Sequence, residues 1–218
     1  MDTTYLRKLF FNTLSEKLIC NGLKYVQSHN EFVKKTVFGK QALFITFTKW
    51  RCDDGIYIDP GIIIRFDEIE NFYHETSYFE KKYQKGTFTI GMSLDNAFNE
   101  SNYVYQRYVE NESAANAANY FYELFQEIVL PLFNKYNTLE SMNELLNSEP
   151  DKELTLVNSI HRGIHGIIAA YLLKIPDEEL NKLIDIYTKQ YTVNSNGFYK
   201  PEFDKVVENI RKHRAKQK

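Results

Sequence analysis

The pattern in this sequence that is most like a ligand-binding motif is a pair of histidines four residues apart, His161 and His165. Positions i and i+4 share one face of a helix, so the two rings could bind a metal ion or a phosphate together. Arg162 stands where a zinc-protease motif has a glutamate, and a cation beside a metal ion is unfavourable. His161, Arg162 and His165 are one candidate ligand site. The alternative is a packed helix with one buried and one exposed histidine.

Acidic residues form a second group, which begins at a predicted turn containing Asp53, Asp54 and Asp59. The spacing and the closing glutamate of a calcium loop are missing there, so the acids indicate a solvated negative surface. Such a surface favours a basic protein partner. Trp50 and Arg51 precede the turn, and these residue types often anchor interfaces. We predict a protein-binding surface of Trp50, Arg51, Asp53, Asp54 and Asp59.

Common catalytic motifs are absent from the chain. It contains no G-x-x-x-x-G-K-[ST], G-x-G-x-x-G, H-E-x-x-H, G-x-S-x-G or S-x-x-K sequence. Their absence removes the usual nucleotide, zinc-protease and serine-hydrolase readings, so we name no catalytic residue, metal or cofactor. An enzyme whose site is assembled from scattered residues stays open as the alternative.

The charge is unevenly distributed along the 218 residues. The formal net charge is -2, but residues 211–218 hold 5 of the 27 lysines and arginines, so an acidic body precedes a basic tail. A basic helix end is explained by the helix dipole, and we expect nucleic acid not to be the partner. The 16 tyrosines and 16 phenylalanines fit either the codon bias of an AT-rich genome or an aromatic interface.

The compartment is predicted from apolar run lengths and from the cysteines. Charged residues interrupt each apolar run, so we expect no signal peptide, no membrane segment and a cytoplasmic protein. Cys20 and Cys52 form no C-x-x-C pair and are expected to be free thiols.

The order of predicted elements indicates an α+β fold of one domain, 1–218, with a helix and sheet in 1–110 and helices in 111–218. Apolar residues of helical period predict a helix from Thr4 to Asn21. Asp67 is predicted to cap a helix that continues to about Lys82, with Glu70 as the reciprocal acid. Pro60-Gly61 is expected to break or bulge a strand, and Pro131 to kink a helix near Glu127. The predicted strands, which form a mostly antiparallel meander, are 23–27, 32–38, 41–51, 56–66, 87–92 and 103–109.

This order resembles that of uncharacterised bacterial α+β domains, including immunity proteins of polymorphic toxin systems. The features that carry the resemblance are the first helix ending in Asn-Gly-Leu-Lys-Tyr, the strands 32–38 and 42–50, and the strand Tyr57–Phe66 leading into Asp67-Glu68-Ile69-Glu70. The resemblance implies a cytosolic protein that binds and blocks a toxin. We therefore expect a non-enzymatic protein-binding domain, with a small-molecule or metal-binding enzyme at His161/His165 as the alternative.

Overall fold

The computed structural model describes residues 3–48, 56–94, 106–108, 111–154 and 159–216. It confirms the predicted α+β class, with an N-terminal helix, a sheet of antiparallel strands and a helical C-terminal half. Contacts divide the chain into two compact units. Unit 1 comprises Met1–Ile64 with Gly91–Lys135, and unit 2 comprises Arg65–Ile90 with Tyr136–Lys218. The assignment of 1–218 to one domain stays a prediction.

Unit 1 contains the first helix, most of the sheet and the helices after it. Its elements are α1 (Thr3–Leu18), a 3-10 turn (Ile19–Asn21), β1 (Lys24–Val26), a 3-10 turn (Gln27–His29), β2 (Glu31–Thr36), β3 (Gly39–Thr48), β4 (Ile56–Phe66), β5 (Ile90–Ser93), β6 (Gln106–Tyr108), α4 (Asn111–Leu124), a π-helical turn (Phe125–Val129) and α5 (Leu130–Lys135). Residues at helical spacing on α1, including Leu6, Phe10, Leu14 and Leu18, are buried, as the sequence period predicts.

The strands follow the order β1-β2-β3-β4-β5, and β6 pairs with β4. β2 and β3 are antiparallel with Phe32 opposite Leu43 and Thr36 opposite Gly39, which confirms the predicted hairpin. Of the break or bulge expected at Pro60-Gly61, the break is wrong, because β4 runs unbroken through both residues, and the bulge stays a prediction. A Cβ at Gly61 would lie 2.0 Å from the Phe44 ring, so the glycine serves close packing.

The helical stretch that follows β6 changes its hydrogen-bonding pattern ahead of Pro131. The π-helical turn Phe125–Val129 separates α4 from α5. Proline has no N–H to donate to the carbonyl four residues earlier, at Glu127, which agrees with the irregularity predicted there.

Unit 2 contains α2 (Asp67–His74), α3 (Lys81–Gln84), α6 (Leu139–Asn147), α7 (Ser159–Leu172), α8 (Asp177–Val193), a 3-10 turn (Asn194–Gly197) and α9 (Lys200–Ala215). The inner face of α9 has apolar residues at helical spacing, and the buried ones are Phe203, Val206, Val207 and Ile210. α7 is buried over most of its length, as its apolar sequence predicts.

The prediction for residues 67–92 is wrong in three details. α2 ends at His74 rather than near Lys82, and β5 begins at Ile90 rather than at Thr87. Phe66, not Asp67, is the N-cap of α2, and no side chain caps this end. Glu70 does not act as the reciprocal acid of a cap, because its carboxylate accepts a hydrogen bond from Thr87 Oγ1 at 2.6 Å in the interior.

Candidate functional site

The predicted acidic turn lies mostly beyond the described residues. Trp50, Arg51, Asp53 and Asp54 fall outside them. Asp59 lies in β4, where its Oδ1 accepts a hydrogen bond from Ser93 Oγ at 2.7 Å. Within the part of the chain that is described, Asp59 is therefore a sheet residue with a polar partner.

Arg162 is directed away from the two histidines and toward the C-terminal end of α6. Its guanidinium is buried and donates to the backbone carbonyls of Leu146 (3.0 Å), Glu149 (2.8 Å) and Lys152. Carbonyls at a helix end lack partners within the helix, so an arginine there satisfies them. The structure does not bring Arg162 together with His161 and His165.

His161 and His165 share the face of α7 that packs against α2. Their rings stack with centroids 5.8 Å apart and an interplanar angle of 20°. His165 is buried, and its Nδ1 lies 3.0 Å from the carbonyl oxygen of Thr89. The Tyr73 ring of α2 meets both imidazoles edge-on, and its hydroxyl donates to Glu202 at 2.6 Å.

An acid beside this histidine pair comes from α2. Glu70 is fully buried, and its Oε1 lies 3.3 Å from His165 Nε2. Two hydroxyls donate to the carboxylate, Thr87 Oγ1 at 2.6 Å and Thr89 Oγ1 at 3.0 Å. Arg65 Nη1 is 3.7 Å from Oε2. Glu70 is thus the centre of a buried ionic network that joins α2, α7 and the segment before β5.

The hydrogen-bond partners of His165 determine which ring nitrogen carries a proton. A carbonyl oxygen only accepts, so Nδ1 must donate to Thr89. In a neutral ring Nε2 then presents its lone pair to Glu70 Oε1, which is repulsive if the carboxylate is ionised. One extra proton in the pair, on either side chain, makes the contact favourable. The contact lacks hydrogen-bond alignment, and His161 Nδ1 and His165 Nε2 are both buried without a hydrogen-bond partner.

The pKa shifts in this network follow from burial. Burial lowers the pKa of His161 to about 4, with a further lowering by His165 and an opposing effect of Glu70. Burial also lowers the pKa of His74, where Glu70 opposes the shift. The pKa of Tyr73 is raised by burial and by its bond to Glu202. His161 is therefore neutral in the folded chain at pH 7.

The network also fastens a surface segment, residues 77–88, which we call the aromatic loop. His74 contacts both ends of it, through Nδ1 to Ser77 Oγ and through Nε2 to Thr87 Oγ1, each at 2.8 Å. Arg65 Nη1 donates to the carbonyls of Gln84 (3.0 Å) and Thr87 (2.8 Å). Side chains at its base thus bond to residues near both ends of the loop.

Four aromatic rings of this loop are exposed. The exposed fractions are 66% for Tyr78, 40% for Phe79, 57% for Tyr83 and 41% for Phe88. Single exposed apolar residues are ordinary on protein surfaces, whereas several large ones within one short segment mark an interaction site. This loop is therefore the candidate binding surface of unit 2.

No protein-family model, curated protein or solved structure matches the chain. In the described ranges, no group of three or more His, Cys, Asp or Glu side chains is placed to hold a metal ion. No helix among the same residues is both long and apolar enough to cross a membrane.

Sequence reasoning missed Glu70 as an interior residue and the aromatic loop as a surface. A helical wheel of α2 indicates that Glu70 could be interior, since position 70 lies on the flank of the buried face made by Ile69, Phe72 and Tyr73. The loop has a signal in the run Tyr-Phe-Glu-Lys-Lys-Tyr, which alternates rings with charges and ends in Gln-Lys-Gly.

Proposed function

We propose that this chain is a non-enzymatic protein-binding domain that uses the aromatic loop as a contact surface. The observation that carries the proposal is the exposure of four rings on a loop fastened by Arg65 and His74. Tyrosine and phenylalanine contribute large contact areas with few rotatable bonds. A loop that is already ordered loses little conformational entropy on binding, so more of the contact energy becomes affinity.

Site-specific photo-cross-linking in the organism that carries the gene tests this proposal. A photoreactive phenylalanine analogue replaces Tyr83 in one variant and Phe198 in the control, since both side chains are exposed residues of unit 2. We expect a protein adduct of one discrete mass from position 83 and none from position 198. Equal adducts from both positions, or none from position 83, would contradict a binding role for the loop.

The specific form we propose is a toxin-neutralising immunity protein of a bacterial cytoplasm, as the order of its elements suggests. Its test is co-expression with the product of the adjacent gene in a bacterial host. Relief of growth arrest by the unmodified chain, and its loss in a Tyr83→Ser/Phe88→Ser variant, would support this role. An adjacent gene whose product arrests no growth would contradict it.

The predicted surface at Trp50, Arg51, Asp53, Asp54 and Asp59 is an alternative contact to the aromatic loop, and it would bind a basic partner. Alanine replacement of Asp53 and Asp54 together tests it, because loss of these carboxylates would weaken binding to a basic protein. The photo-adduct from position 83 serves as the readout. Unchanged yield in the double variant would leave the aromatic loop as the contact that the cross-linking identifies.

A small-molecule site at His161 and His165 is the second candidate function, because Glu70 supplies an acid at 3.3 Å from His165. A carboxylate and an imidazole in contact can transfer a proton. Both side chains are buried, so a ligand would have to approach past His161, which is half-buried. Chemical shifts of the His161 ring protons, followed while a library of small metabolites is added, test this function. Unmoved shifts throughout would exclude it.

A further inference from the structure

We propose that the partner docked by the aromatic loop is a protein that presents a carboxylate-rich, apolar segment. This inference rests on the proposed protein-binding function and names the chemistry of the partner. The partner's charge is then opposite to the one expected from the composition, since the body of the chain is acidic and the sequence predicts a basic partner.

The first support is the local charge. The aromatic loop contains three lysines, Lys81, Lys82 and Lys85, and one acid, Glu80. Lys82 and Glu80 form an ion pair at 3.0 Å. Lys81 and Lys85 are exposed and take part in no ion pair among the described residues. Lys81 and Lys85 are therefore cations without counter-charges in the segment that carries the exposed rings, and carboxylates of a partner would complement them.

A fourth lysine reaches the same surface from α9. Lys205 Nζ donates to Tyr78 Oη at 2.8 Å and lies 4.0 Å from the centroid of the Tyr78 ring. This side chain adds positive charge beside the loop while it holds the tyrosine in place. The cationic character of the surface thus comes from two segments that are far apart in sequence.

The accessibility of the rings favours a protein over a single-stranded nucleic acid. Base stacking needs open ring faces. Lys205 covers a face of Tyr78, and Lys82 covers a face of Tyr83 at 4.7 Å. Phe79 packs edge-on against the His74 ring, with centroids 5.8 Å apart. One face of Tyr78 and one face of Tyr83 are thus occupied by lysine ammonium groups, which reduces the ring area open to stacked bases and favours side chains of a protein.

Three fluorescent probes test the chemistry of the partner on the full chain. They are a twelve-residue peptide of alternating glutamate and leucine, the same peptide with lysine for glutamate, and a twelve-nucleotide thymidine strand. We expect the acidic peptide to bind most tightly, with an affinity that falls as salt is raised. Amide shifts in an NMR titration should move in residues 77–88.

Charge-reversal variants distinguish the effect of the loop's own charges from the effect of the net charge of the chain. Lys81→Glu/Lys85→Glu should weaken binding of the acidic peptide by about tenfold or more, because two attractions become repulsions. Lys189→Glu/Arg211→Glu makes the same change in net charge at exposed positions of α8 and α9, and should alter binding less than twofold. Tighter binding of the basic peptide or of the thymidine strand, equal effects of the two double variants, or binding of none of the probes would each overturn the proposal.

Failure of this inference is distinguishable from failure of the proposed function. The cross-linked adduct at position 83 reports protein binding whatever the partner's charge. If that adduct persists in Lys81→Glu/Lys85→Glu with undiminished yield, the chain binds a protein but the acidic-partner inference is wrong. If the adduct is absent from the unmodified chain, the proposed function itself fails.

Discussion

Replacement of Glu70 by alanine is the most informative perturbation of unit 2. The side chain is fully buried and its carboxylate contacts two threonine hydroxyls, His165 and Arg65. Alanine removes the Glu70 carboxylate, and the side chains that contacted it stay buried without that partner. We expect a large loss in the free energy of unfolding, because a buried charge without its counter-ion is costly.

The magnitude follows from what each neighbour loses. Removal of one partner from a buried ion pair costs about 3–5 kcal/mol. Arg65 retains a bond to Asp67 at 2.7 Å, and Thr87 Oγ1 can donate to the Gln84 carbonyl at 2.9 Å, so these two groups stay satisfied. Thr89 loses an acceptor, which costs about 1–3 kcal/mol, and a small cavity adds to the loss. Because Arg65 and Thr87 keep partners, we expect the low end of the ion-pair range, about 3 kcal/mol, for Glu70→Ala.

Urea denaturation at pH 7, followed by circular dichroism, measures this loss. The matched control is Glu68→Ala, which removes an exposed glutamate from the same helix and should change stability by about 0.5 kcal/mol or less. If Glu70→Ala does not fold, Glu70→Gln keeps the volume and should still be less stable than the control. A free energy within about 1 kcal/mol of the control for both Glu70 variants would refute the view that the network stabilises unit 2.

Three further predictions concern the same unit. The pKa of His161 is about 4 in the folded chain against 6.5 for the free side chain, so the unfolded chain binds the proton first. The contribution of His161 to the free energy of unfolding is therefore complete above pH 6.5 and is lost as the pH falls toward 4, about 3 kcal/mol in all. In His161→Gln the urea midpoint should depend less on pH over this range. His74→Ala unties both ends of the aromatic loop and should speed tryptic cleavage within residues 77–88 by roughly 5–30-fold, whereas His213→Ala should not. Gly163→Ala places a Cβ 2.7–2.9 Å from two tyrosine rings of α8, and calorimetry should show a lower melting temperature despite alanine's better helix propensity.

The fold class could be predicted because it depends on local patterns. The four-residue recurrence of Leu6, Phe10, Leu14 and Leu18 identifies α1, and the alternation in residues 42–48 identifies β3. Pro131 marks the irregular helix because its missing N–H is a property of the residue itself. These signals need no knowledge of distant contacts.

The site could not be predicted, because its partners are far apart in the sequence. Glu70 contacts Thr87 and Thr89 across 17 and 19 positions, and His165 donates to Thr89 across 76. Glu70 follows Asp67 with the spacing of a capping pair, so the local sequence predicts a capping role for Glu70 rather than a buried position. Burial of the apolar face of α2 against α7 turns Glu70 inward, where two hydroxyls and the Arg65 guanidinium compensate for its desolvation.

The net charge of the chain does not describe the charge at the aromatic loop. Asp59 accepts from Ser93, Asp67 pairs with Arg65, and Glu75 contacts His213 at 3.0 Å. Glu70 is buried, so much of the acidic run that the sequence presents is compensated within the fold. The lysines of the aromatic loop are exposed and outnumber its one acid, so the local charge that a partner meets at this loop is positive. The sign of the loop, rather than that of the chain, should therefore select the partner.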